Sequence, residues 1–85
     1  MSHSPAITRR IQTVEGHLRR VKKMIDDESY CIDVINQSKA VQSALAKIDE
    51  MLLEHHLRTC VVDHIKAGKT ELATKEVLSV FRRSA

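Results

Sequence analysis

Three residues of this 85-residue chain carry side chains that bind soft metals or do thiol chemistry, and their spacing is informative. His56 and Cys60 stand four positions apart in HHLRTC, one helical turn, so both can reach one ion from a single helix face. Cys31 lies 25 positions before His56, in DDESYCID. On one continuous helix that separation is about 37 Å, and no side chain bridges it. Two long helices running antiparallel would instead bring Cys31 of one chain to His56 and Cys60 of the other, and symmetry would repeat the site. Two thiolates and one imidazole suit Cu(I), which accepts three ligands, whereas Zn(II) would need a fourth. His3 in an N-terminal tail, His17 in mid-helix and His64 one turn past Cys60 are none of them firmly placed to supply it. Two other roles stay open for these residues. Thiols pack as small hydrophobes, and paired thiols do redox chemistry.

The elements that must position these groups follow from periodicity. Ile7, Ile11, Val14, Leu18, Val21 and Ile25 recur at alternating steps of 4 and 3, the repeat of a helix packed along a bundle seam. Ser4 and Pro5 suit its cap and first turn. Gly16 interrupts the run, and close helix approach is one reason for a glycine there. Val34, Ser38, Val41, Leu45, Ile48, Leu52 and His55 continue the same steps in a second run with no stop before Ala67-Gly68. A helix over roughly residues 30–66 would be about 55 Å long, and the first helix, near 30 Å, covers only part of it. The uncovered part needs another chain. Thr70 can cap a short third helix whose apolar side is Leu72, Val77, Val80 and Phe81. The expectation is an all-α chain of three helices, with residues 1–6 as a flexible tail and 7–85 as one domain.

Composition narrows the role. With two glycines, one proline and no tryptophan, the chain has few turns and a core of Ile, Val, Leu and Ala. A chain this short buries little apolar surface alone, which again favours assembly. The start, MSHSPAITRRIQ, lacks the apolar run of a secretory signal, and no window approaches the roughly 18 apolar residues of a membrane helix. A cytoplasmic protein with reduced thiols and no membrane partner is therefore expected. No catalytic triad or carboxylate pair is apparent, so neither an enzyme nor a small-molecule substrate is expected.

Charge points to phosphate. The net charge is +3, and Arg9, Arg10, Arg19, Arg20, Lys22 and Lys23 face Glu15 alone within residues 9–23. Nothing in the sequence reads as a helix-turn-helix, zinc finger or basic zipper. A broad basic surface, with Lys47 adding to it from the second helix, would contact phosphates first and take sequence preference from limited base contacts and DNA shape.

RRIQTVEGHLRRVKKMI, YCIDVINQSKAVQSAL and LLEHHLRTCV together resemble the CsoR/RcnR family of bacterial metal-responsive repressors, its copper-sensing branch above all, from Arg9 to the third helix. The resemblance implies a dimer of antiparallel helical hairpins that doubles into a flat tetramer. It also implies operator binding without metal and release on Cu(I), which derepresses copper efflux genes. It implies Cu(I) held between subunits by Cys31, His56 and Cys60, with Tyr30 and Glu76 as hydrogen-bond partners of the ligand imidazole. It favours Arg10 and Lys47 as DNA contacts, with Arg9, Arg19 and Arg20 beside them. His17 stands where this family usually has Gln, and Arg20 where Gly is common. The alternatives are a Ni(II)-responsive repressor of the same fold, a cysteine persulfide or redox sensor, and a cytosolic metal buffer.

Overall fold

The computed structural model describes residues 4–83, all of them helical or in short turns. Four α-helices follow in order: α1 (Pro5–Asp26), α2 (Cys31–His56), α3 (Val62–Lys66) and α4 (Thr70–Arg83). A π-helical turn, Leu57–Val61, joins α2 to α3 without a break, so residues 31–66 form one helical run and the described residues form three. The chain divides into two compact units, Met1–Leu52 and Leu53–Ala85.

The first unit is a helical hairpin. Pro5 occupies the first turn of α1, where its missing N–H is no loss, and the Ser4 carbonyl accepts the Ile7 N–H at 3.1 Å. The Ser4 hydroxyl makes no cap bond, so backbone and proline alone set this start. The helix already includes Pro5 and Ala6, two residues expected in the tail. His3 lies outside the described residues.

Only half of the expected seam is buried. Ile7, Val14 and Val21, each one heptad apart, pack on Val41 and Ile48 of α2, with Val34, Ala44, Met51 and Leu52 around them. Ile11, Leu18 and Ile25, the alternate positions of the repeat, remain exposed, Leu18 and Ile25 by 56% and 59%. A heptad repeat produces two adjoining stripes. In this hairpin α2 covers one and leaves the other bare. A 2.8 Å hydrogen bond from His17 Nε2 to Gln37 Oε1 adds a polar tie between the two helices.

Both interhelical turns use one device. After α1, Glu28 donates to the Ile25 carbonyl (3.1 Å) and Ser29 to that of Met24 (2.9 Å). After α3, Gly68 donates to Ile65 (3.0 Å) and Lys69 to His64 (2.7 Å). This is the Schellman pattern, which needs one residue with positive φ. Gly68 has φ 78° and suits it; Glu28, at φ 57°, is a non-glycine in the same left-handed region.

In the second unit α4 packs on α3. Lys69, not Thr70, takes the cap position of α4, its carbonyl accepting the Ala73 N–H, while Thr70 is already helical and its carbonyl accepts the Thr74 hydroxyl. Of the apolar side expected from Leu72, Val77, Val80 and Phe81, Val77 is half-buried and the other three are exposed, while the small Ala73 is the buried residue of α4. No helix among the described residues is long and apolar enough to cross a membrane.

Candidate metal centre

His56 is the last residue of α2 and Cys60 sits in the π turn that follows. In an α-helix four residues overshoot a full turn by about 40°; a π turn, bonded i to i+5, takes more residues per turn and removes that overshoot. The irregular turn therefore changes the angle between the imidazole and the thiol relative to regular i,i+4 geometry. Thr59 holds the turn locally. Its hydroxyl donates to the His55 carbonyl at 2.8 Å and lies 3.6 Å from Cys60 Sγ. A hydroxyl bonding back to the carbonyl four residues earlier loosens and bends a helix, which is consistent with a π turn at this place. Neither the π turn nor the role of Thr59 is signalled by hydrophobic spacing.

The imidazole already has an acidic neighbour. Glu76 of α4 places Oε2 3.5 Å from His56 Nε2, with the His56 side chain 25% exposed. The Gly68 turn makes this contact possible by bringing α4 onto α3. The Glu76 carbonyl accepts the Ser79 hydroxyl at 2.8 Å, a bond within the same helix. A carboxylate facing Nε2 favours a proton there and leaves Nδ1 with its lone pair, the arrangement a metal-binding histidine needs.

Cys31 opens α2 and is exposed, and Cys60 is half-buried; both are thiols. Tyr30, exposed, precedes Cys31, and its carbonyl accepts the Val34 N–H at 3.2 Å. Cys31 and His56 are thus the first and last residues of one 26-residue helix. No group of three His, Cys, Asp or Glu side chains able to hold a metal occurs among the described residues. His64 is half-buried, and its Nδ1 has no hydrogen-bond partner among the described residues.

The basic residues lie on the first unit. Arg9, Arg10, Arg19 and Arg20 are exposed on α1 and make no ion pair among the described residues. Arg9, Arg10 and Thr13 line an open groove of about 460 Å³ that reaches Ala44 on α2. Lys47 Nζ lies 3.4 Å from Glu50 Oε2, an exposed pair worth little in water. Lys22 and Lys23 are paired one turn on with Asp26 (2.7 Å) and Asp27 (2.9 Å), so their charge is partly offset.

Known proteins match this chain over nearly its whole length. The sequence profile of the metal-sensitive transcriptional repressors matches residues 3–83. The copper-sensing transcriptional repressor CsoR of Bacillus subtilis (strain 168) is 40% identical over 77 residues, 91% of this chain and 76% of that protein. The protein of the same name from Mycobacterium tuberculosis (strain ATCC 25618 / H37Rv) is 34% identical over 77 residues, and the match spans 65% of its length, just under two thirds. A crystal structure of the copper-sensing repressor CsoR with Cu(I), from Geobacillus thermodenitrificans NG80-2, superposes with a TM-score of 0.87 at 33% identity, covering 98% of this chain and 91% of that one. With its all-α fold, its imidazole–thiol turn and these relatives, the chain belongs to the CsoR/RcnR family of metal-sensitive transcriptional repressors, in the copper-sensing CsoR branch.

Proposed function

We propose that this chain is a Cu(I)-responsive repressor of the cytoplasm, binding operator DNA without metal and releasing it when Cu(I) is bound. One observation carries the reading. Glu76 Oε2 lies 3.5 Å from Nε2 of His56, and Cys60 follows four residues later in the adjoining π turn, yet no complete donor set forms among the described residues. The chain presents two soft donors and needs a third from elsewhere.

Cys31 of a second copy is the donor that fits. It is exposed, and it begins the same helix that ends at His56, so antiparallel pairing exchanges the two ends. The bare stripe of Ile11, Leu18 and Ile25, with Leu45 on α2, gives the second copy an apolar face to cover. Two hairpins form the dimer, and two dimers form a flat tetramer. When bound, Cu(I) supplies a soft centre that accepts two thiolates and one imidazole. Cys31 and Cys60, as thiolates, and the His56 imidazole would hold it. Glu76 orients the ring through Nε2. Tyr30, next to Cys31 in sequence, offers its phenol to the same imidazole. Ni(II) and Zn(II) suit this set less well, because each favours more donors than three.

DNA is held by charge. Arg10 and Lys47, with Arg9, Arg19 and Arg20, contact phosphates across the hairpin surface, so affinity falls steeply with salt. The role is regulatory and needs no catalytic group. Glu76 links the two functions, since fixing His56 also fixes the position of α4. A coupling of about 2–3 kcal/mol between the sites lowers operator affinity roughly 30- to 150-fold.

Anaerobic Cu(I) titration against a chromophoric competitor, with DNA anisotropy followed on the same sample, tests the reading. Operator affinity should fall as Cu(I) fills the protein and stay unchanged with Ni(II). Full DNA affinity in the Cu(I)-saturated protein would refute it.

A further inference from the structure

Gly16 lies in the interior of α1, where glycine weakens a helix relative to alanine. Three things can explain such a glycine: an unusual backbone angle, close packing within the fold, or something outside that needs the space. The first two do not apply. Gly16 is not a positive-φ residue, and a Cβ placed on it would meet only Arg19 Nη2 at 3.6 Å, an ordinary contact. Close helix approach, one reason for a glycine here, does not occur at Gly16 among the described residues.

Its surroundings on the helix surface are distinctive. The residues three, four and seven positions away are Gln12, Thr13, Arg19, Arg20, Arg9 and Lys23, four of the six basic and all exposed. Lys23 is paired with Asp27, but Arg9, Arg19 and Arg20 make no ion pair among the described residues. At about 100° per residue, Gly16 points away from the buried stripe of Ile7, Val14 and Val21. It points away equally from the bare stripe of Ile11, Leu18 and Ile25. A second copy covering that stripe would leave Gly16 in the open. Arg9 and Thr13 also line the groove leading to α2, so the basic ring continues into a concave surface.

We propose that Gly16 marks the point where a DNA backbone passes closest to α1. The missing side chain lets a phosphate lie against the helix within reach of Arg9, Arg19 and Arg20. This rests on the DNA-binding role proposed above and adds where the duplex is seated. Any side chain at position 16 moves the phosphate outward and lengthens its charge-assisted hydrogen bonds, which are strong only when short. The same side chain strengthens the helix. Stability and DNA affinity therefore move in opposite directions, whereas a packing role would lower both and an idle surface position would change stability alone.

The test compares wild type, Gly16→Ala and Gly16→Leu, all metal-free, by thermal melting and by anisotropy. The probe is a fluorescent DNA duplex taken from upstream of the protein's own coding sequence. Both variants should melt about 4 °C or more above wild type. DNA affinity should fall roughly 5-fold for Gly16→Ala, as expected for weakened phosphate hydrogen bonds, and further for Gly16→Leu. Higher melting with unchanged DNA affinity would overturn the inference, and so would lower melting, which would make Gly16 a packing residue. If wild type itself shows no salt-sensitive binding to this DNA, the inference fails together with the repressor reading. If wild type binds and both variants bind equally well, the inference fails alone.

Discussion

In the first unit, α1 and α2 bury Ile7, Val14 and Val21 against Val41 and Ile48, so one chain supplies its own core. In the second, Ala73 is the buried residue, and Ile65, Leu72, Leu78, Val80 and Phe81 stay exposed. The contrast maps onto function. The surface proposed above to hold DNA would benefit from a packed scaffold, and the arginines that make no ion pair among the described residues stand on one. A segment with few buried contacts opens at low free energy, and that suits a sensor whose position a ligand must change. His56, Cys60 and Glu76 all belong to the sparsely packed unit.

Substitutions can break this contrast from either side. The largest effect is expected on the sensing side. Cys60→Ala should abolish high-affinity Cu(I) binding in a competitor titration, while metal-free DNA binding remains. Loss of metal-free DNA binding in this variant would mean that the two units are not separable in function. On the scaffold side, Ile48 is 3% exposed. Ile48→Ala should destabilise the protein by about 2–4 kcal/mol in chemical unfolding, with DNA binding lost through unfolding. A change below about 1 kcal/mol would show that the first unit is no more a scaffold than the second.

Glu76→Gln is subtler. Removing the carboxylate beside a metal-bound imidazole should weaken Cu(I) binding roughly 10-fold and reduce the Cu(I)-induced loss of DNA affinity, leaving metal-free DNA binding intact. An unchanged copper response would remove Glu76 from the coupling. The two turns give the smallest effects, of opposite sign. Glu28→Gly should stabilise by about 0.5–1 kcal/mol and Gly68→Ala destabilise by about 1 kcal/mol, because both positions have positive φ. Equal signs in denaturant melts would contradict the shared turn geometry.

The fold is most legible in the sequence where a repeat encodes structure. Steps of 4 and 3 located α1 and the helical run from Cys31 to Lys66, and Ala67-Gly68 marked its end. The same steps did not say which stripe α2 would cover, because Ile7, Val14 and Val21 are chemically equivalent to Ile11, Leu18 and Ile25. Only packing distinguishes them. Glu28 in a left-handed turn was also invisible, since glutamate does not advertise positive φ as Gly68 does. The π turn at Leu57–Val61 escaped because i to i+5 bonding leaves no hydrophobic period, though Thr59 one residue before Cys60 is the kind of back-bonding side chain that accompanies such turns. The His17–Gln37 bond joins residues 20 apart, beyond any local pattern. At the site, the i,i+4 spacing of His56 and Cys60 was plain, and the Glu76 expectation came from family resemblance, since no periodicity links it to His56.

Mixing two crippled proteins tests the shared site most directly. Cys31→Ala and Cys60→Ala should each destroy the proposed site in a homodimer. Unfolded together and refolded, they form mixed dimers in which the intact Cys31 of one chain meets the intact His56 and Cys60 of the other. One high-affinity Cu(I) per mixed dimer should reappear in the competitor titration. If the mixture binds no more Cu(I) than the separate variants while mass spectrometry shows that mixed dimers have formed, a site shared between antiparallel chains is contradicted.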